Sequence, residues 1–354
     1  MKNKFTSLEI LKKDLPQHAP FYTQSWVYAG ISAYYSQQNQ FDKLEFGNFE
    51  KNFVIKDWKG FLDSEVDNYG CVFEGHHDYW TSDEWFPPNA LLITGHKHLN
   101  NFKNYTTVGF DYWDHHIFNE FTNTTLYYEI NREPLGNAIY DVVIPFGSPR
   151  PHRIQFMKLF DQLRDNLTIV TDNLQDILET DLRFQQLGIE VYFNKVNLEK
   201  YSLHTCYPSF YDTNMSRSLD HLPHKKMHAI AKVNVALETT VRDITEPYCT
   251  EKTFKILAHR RPFVILGDTN ILAKLKTQGF KTFANFCDES YDSEKNLDLR
   301  MQKVVQAIKQ LVDSSKTHTN EIDDICQHNQ KLFFDRQRQA NNLAEFGKTI
   351  LEII

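Results

Sequence analysis

A chain of 354 residues is long for one domain and comfortable for two, so it can bury sizeable cores. Hydrophobic residues at 41% and charged residues at 24% place it among ordinary soluble globular proteins, and a formal charge of -7 excludes a general attraction to nucleic acid, leaving only a local basic groove. Aromatic residues reach 14%; such rings serve as platforms for sugars and bases, but most are expected in cores.

The cysteines, Cys71, Cys206, Cys249, Cys287 and Cys326, are odd in number and contain no CxxC pair. That argues against a disulfide framework and for a reducing compartment. The opening MKNKFTSLEILKKDLPQ has no apolar core of signal-peptide length, and no window approaches the length of a membrane span. The expectation is a cytoplasmic protein without a membrane span, in which the sequons at Asn104, Asn123, Asn166 and Asn214 have no role.

Along the chain, Tyr22–Gln37 is the first helix candidate, and Phe41–Phe61 is ambiguous between helix and strand. Three apolar runs then end in polar clusters. Residues 69–74 lead into Gly75-His76-His77-Asp78, 90–94 into Gly95-His96-Lys97-His98, and 106–110 into a loop Asp111-Tyr112-Trp113-Asp114-His115-His116. Short strands with polar loops beyond their carboxyl ends are the pattern of an open α/β sheet, where ligands bind at that edge. These loops hold enough His and Asp for a zinc or iron site, and His96-x-His98 has ligand spacing, but no HExxH or CxxC frames them. General-base chemistry suits them better, with Glu74, His76 and Asp78 as candidates. The segment Asp78–Phe86 is either a stacking platform or packing beneath a loop.

A second unit is expected from about residue 140: a strand at 141–145, the turn Gly147–Arg153, a helix Ile154–Arg164 and a strand at 167–170. Residues 172–200 read as mostly helical with a short strand at 189–193, and 201–228 as a polar loop. Val233–Phe283 then reads as strand, loop, short helix, strand, helix and strand, a Rossmann-like order. The segments are therefore 1–140, 141–295 and 296–354, the last helical and packing back across the domains.

At the mouth of the short helix stands Thr250-Glu251-Lys252. Thr250 is a good N-cap and Glu251 suits the positive end of a helix, whereas Lys252 opposes the dipole. A cation there makes sense where an anion shares the helix N-terminus, whose free N–H groups favour phosphate. The alternative is a lysine pointing into water. Glu238, ending the preceding strand, adds a carboxylate to accept ribose hydroxyls. Arg150 and Arg153 stand at the first turn of the second unit and can neutralise a leaving diphosphate; the alternative is a pair of surface arginines.

CysThrGluLysThrPheLys at 249–255, ArgArgProPheValIleLeuGly at 260–267 and LysLeuLysThrGlnGlyPheLysThrPhe at 274–283 resemble the donor-domain signature of glycosyltransferases of tailed phages and large viruses. That pattern is close to TEKTFKPI, (G/K)(K/R)PFI(V/L)xG and LxxLxxxGFKTF, and its first part is similar to the TEK motif of α-1,3-fucosyltransferases and, more loosely, to exostosin-like enzymes. The resemblance covers about residues 145–285, including Val235–Thr240 and Arg150–Arg153. It implies a GT-B architecture of two Rossmann-like domains, Glu251 on the ribose and Lys252 on the diphosphate of a nucleotide-sugar, and, for a viral protein, the host cytoplasm. Departures at Lys255–Leu257, where Pro is usual, and at His259–Arg261, where Gly is frequent, leave the charged step intact.

The expected function is metal-independent glycosyl transfer from a nucleotide-sugar co-substrate to a saccharide, lipid-linked or hydroxymethyl-base hydroxyl, with inversion as the simplest chemistry and no cofactor required. The alternatives are a DNA-modifying glycosyltransferase acting on a hydroxymethylated base, a metal-dependent hydrolase using the His loops, and a non-catalytic nucleotide-sugar-binding protein.

Overall fold

A computed structural model describes residues 29–39, 72–74, 91–94, 106–123, 134–145, 150–170 and 228–353, apart from single positions at 31, 110, 137, 139, 164, 230, 245 and 246. The protein is α/β, with parallel sheets in each of two compact units, one formed by 1–112 with 335–354 and the other by 113–334.

In the first unit, β1 (Val72–Glu74), β2 (Leu91–Thr94) and β3 (Thr106–Gly109) form a parallel sheet in that order. Glu74 pairs with Ile93 and Thr94 with Gly109, so the three carboxyl ends lie along one edge, as the apolar runs predict. Helix α7 (Arg336–Ile353) packs against β3. Of the Tyr22–Gln37 candidate, residues 32–37 are helical, and Gln37 Nε2 donates to Asn341 Oδ1 of α7 at 3.0 Å. A Cβ on Gly30 would stand 2.8 Å from Phe346 Cδ1 and 3.2 Å from the Gly347 backbone, so glycine permits this close approach.

The second unit begins at Trp113, within α1 (Tyr112–Asn123), which corrects the loop expected at 111–116. Ile117 and Phe121 are buried one turn apart, and that spacing, together with Asp114 in the favourable first turn, makes the segment helical. The second sheet comprises β4 (Tyr140–Val143), β5 (Ile169–Val170), β6 (Ala231–Leu237) and β7 (Phe263–Leu266), parallel throughout, in the order β5-β4-β6-β7. All of β7 and all of β6 except Lys232 are buried, the near-continuous apolar signature of a parallel sheet covered on both faces. Helices α2 (Pro151–Leu163), α3 (Glu251–Ala258) and α4 (Ile271–Thr277) follow β4, β6 and β7. Helix α5 (Leu297–Thr317) packs on α2, β4, β6 and β7, and α6 (Thr319–Phe333) packs on α3.

The strand expected at the end of Val233–Phe283 does not form. Helix α4 ends in a Schellman motif: Gly279 has φ +90, its N–H donates to Lys276 O at 3.0 Å, and Phe280 N–H donates to Leu275 O at 3.0 Å. Phe280 and Phe283 then enter the core, and Asn329, at 1% exposure, binds both the Lys281 N–H at 2.8 Å and the Lys281 carbonyl at 2.9 Å. A side-chain amide thus takes the place of a neighbouring strand. The strand and helix expected within 172–200 and the loop at 201–227 lie outside the described residues.

Candidate functional site

The connection β4-α2-β5 leaves β4 toward one edge of the second sheet, and β6-α3-β7 leaves β6 toward the other. The reversal falls between adjacent strands β4 and β6, so the N-termini of α2 and α3 rise beyond the carboxyl ends of those two strands. Open α/β sheets bind ligands at such a reversal.

Helix α2 begins as its sequence dictates. Pro151 occupies the first helical position, where its missing N–H costs nothing, and the Arg150 carbonyl accepts from Arg153 N at 3.0 Å and Ile154 N at 3.1 Å. Helix α3 begins at Thr250, whose backbone is extended and whose Oγ1 accepts from Lys252 N at 3.5 Å.

Glu238, the residue after β6, joins the two helix starts. Its N–H extends the ladder to Leu266 O at 2.9 Å. Its carbonyl accepts from His152 Nε2 at 3.0 Å and from Arg153 Nε at 3.3 Å and Nη2 at 3.2 Å. Its carboxylate accepts from Thr250 N at 3.1 Å, from the Thr250 hydroxyl, and from Thr253 Oγ1 at 2.5 Å. With 0% exposure, Glu238 is a buried acid whose cost of desolvation is offset by these donors.

Lys252 is not a solvated lysine. Its Nζ lies 2.5 Å from Glu251 Oε1 and 3.3 Å from Thr250 Oγ1, and the Lys252 and Glu251 side chains are each 15% exposed. Burial alone would raise the Glu251 carboxyl, but Lys252, with Lys255 behind it, outweighs burial and holds it well below the usual carboxylate range. Glu251 is therefore an anionic acceptor at neutral pH.

Arg153, Glu238, Thr250, Glu251 and Lys252 thus stand in one continuous hydrogen-bonded network, with half-buried Arg150 at its margin as the cap of α2. Arg153 is 2% exposed, so its guanidinium belongs to the frame. His152 and Thr253 join the network without having been singled out by their sequence context. The signal for Thr253 was present, since a hydroxyl residue three places after an N-cap faces back over the helix start. Glu74 ends β1 in the first unit, and His76 and Asp78 lie outside the described residues, as do His77, His96 and His98. Asp114 and His115 are buried on α1. Among the described residues no group of three or more His, Cys, Asp or Glu is gathered as for a metal ion.

The loops beyond β6 and β7 are locked together. Asp268 accepts from Arg242 N at 2.8 Å, and Thr269 Oγ1 accepts from Ile244 N at 3.0 Å. Arg300, on α5 and 2% exposed, donates to the carbonyls of Val241 at 3.3 Å, Gly267 at 2.7 Å and Glu294 at 2.6 Å. Among the described residues no helix is long and apolar enough to cross a membrane. No protein-family model matches the chain, and a search of curated proteins finds no significant match.

Proposed function

We propose that the protein is a GT-B-type glycosyltransferase that moves a sugar from a nucleotide-sugar to a hydroxyl acceptor, with inversion and without a required metal. The observation that carries this reading is the network at the sheet reversal, where the N-terminus of α3 meets a cation, Lys252, and an ionised acceptor, Glu251. A nucleoside diphosphate needs these same groups: N–H dipoles and a cation for the phosphates, and a carboxylate for the ribose hydroxyls. Lys252 takes the diphosphate, Glu251 the ribose, and Arg150 the negative charge that develops as the bond from the anomeric carbon to the diphosphate oxygen breaks. Arg153, Glu238 and Thr250 hold these groups in place. The acceptor hydroxyl attacks the anomeric carbon and gives its proton to a base, for which Glu74, His76 and Asp78 are the candidates. The acceptor is a saccharide, a lipid-linked glycan or a hydroxymethylated base.

The test is a thermal-shift screen against UDP-, GDP-, ADP-, CMP- and dTDP-sugars, repeated with Lys252→Ala. A donor at 100 times its dissociation constant adds about 2.7 kcal/mol to stability, and the substitution is expected to abolish the shift. No shift with any nucleotide-sugar overturns the proposal.

A further inference from the structure

We infer that Glu238 is a positioning residue that sets the Lys252 ammonium through the hydroxyl of Thr250; this rests on reading Lys252 as the cation for a diphosphate. A threonine hydroxyl has one proton to give. In Thr250 that proton goes to the Glu238 carboxylate, so Oγ1 turns only lone pairs toward its other neighbours. Those neighbours are both donors on Lys252: Nζ at 3.3 Å and the backbone N–H at 3.5 Å.

The carboxylate cannot turn away. It is fully buried, Oε1 is held by Thr250 N at 3.1 Å and Thr253 Oγ1 at 2.5 Å, and its own carbonyl is tied to His152 and Arg153. Gly267 presses against it, since a Cβ there would lie 3.1 Å from Glu238 Cγ. A fixed acceptor beneath the cap thus dictates the polarity of the Thr250 hydroxyl. The ammonium is held from one side by that oxygen and from the other by Glu251 at 2.5 Å. With an amide in place of the acid, its carbonyl keeps the Thr250 N–H and Thr253 hydroxyl at the Oε1 position, its N–H group replaces Oε2 and donates to Thr250 Oγ1, and the Thr250 proton must swing toward Lys252. The ammonium then keeps only its partly exposed partner, Glu251.

The test compares the full-length chain with Glu238→Gln, Thr250→Val, Thr250→Ser and the Glu238→Gln/Thr250→Val pair. Three quantities are read: the acylation rate of Lys252 by acetic anhydride relative to Lys295, whose side chain is 78% exposed; amide exchange along α3; and calorimetric binding of UDP, GDP, ADP and dTDP. Glu238→Gln is expected to raise Lys252 acylation severalfold while amide protection in α3 holds, and to weaken the nucleoside diphosphate that binds by about tenfold. Thr250→Val is expected to match its acylation rate while fraying the first turn of α3, whose cap it removes, the pair to show no added acylation, and Thr250→Ser, which keeps the cap, to restore the wild-type rate. Acylation that rises in Glu238→Gln only with loss of α3 amide protection, or effects that add in the pair, would overturn the inference. If Glu238→Gln does not fold, the contrast between Thr250→Val and Thr250→Ser decides it. If wild type binds none of the diphosphates, the donor reading fails, while the acylation arm still reports on Glu238.

Discussion

Arg260 holds a backbone angle that few residues with a side chain adopt. Its φ is 54, the left-handed region that favours glycine, at the residue after the C-cap of α3. This chain holds an arginine there with Asp323 of α6, which accepts from Arg260 Nε at 3.1 Å and from Nη2. Asp323→Ala keeps the backbone cost and removes the compensation, so we expect a loss of about 1.5–3 kcal/mol in urea unfolding. Arg260→Gly removes both and should cost less. The partnership spans 63 residues and leaves no local trace, whereas the Thr250 cap and the Lys252 anomaly were legible because they depend only on adjacent positions. A second residue-scale effect was also illegible. His228, 1% exposed, donates from Nδ1 to Asn234 Oδ1 at 2.5 Å and stacks on His259 with ring centroids 4.7 Å apart. Burial, reinforced by Lys255 and Arg261 and opposed by the Asn234 bond, lowers its pKa to about 4. The unfolded chain takes up this proton near pH 6.5 while the fold resists until about 4, so stability is full above that window and is lost as pH falls through it. At about 1.36 kcal/mol per pH unit the loss is on the order of 3 kcal/mol. His228→Asn, which keeps a donor for Asn234, should flatten the slope of unfolding free energy between pH 6.5 and 4.

Elements were legible where the apolar pattern alone decides them. The three runs at 69–74, 90–94 and 106–110 contain strands that end at Glu74, Thr94 and Gly109, and Val233–Leu266 gives its strand, helix and strand in the expected order. Failures came where a polar-looking stretch conceals a different period. In 111–123, a run of His and Asp masks Ile117 and Phe121, whose four-residue spacing marks a helix. In Gly279–Phe283, the apolar residues stand three apart rather than two, and the backbone finds its partners in Asn329 and in Glu289, which accepts from Phe283 N at 2.6 Å. The GFKTF sequence is thus a helix stop followed by two core anchors. Gly279→Ala should cost about 1–2 kcal/mol from its backbone angle alone, with Leu332 Cδ2 only 3.2 Å from the added methyl. Phe280→Ala should cost about 3–5 kcal/mol. Chemical unfolding of both variants checks these values; a neutral Gly279→Ala would refute the Schellman assignment.

At the scale of the molecule, the last twenty residues belong with the first unit: α7 packs on β3, while α5 and α6 complete the second. A chain ending at Phe334 should therefore keep slow amide exchange in β4, β6 and β7 and lose it in β1–β3; protection retained in both sheets would show that α7 is dispensable to the first. The strand order of either sheet could not be read from the chain, because it depends on which way each crossover turns. The reversal that brings the N-termini of α2 and α3 to one edge of the sheet was consequently invisible in the sequence. Arg300 adds a constraint of another kind, in time. The carbonyl of Val241 waits 59 residues for the guanidinium that ties it down, an interval of roughly 3–12 s at the usual pace of translation. A nascent chain therefore has strands β4 to β7 in hand well before it can finish the edge at their carboxyl ends, and that edge is set only when α5 emerges.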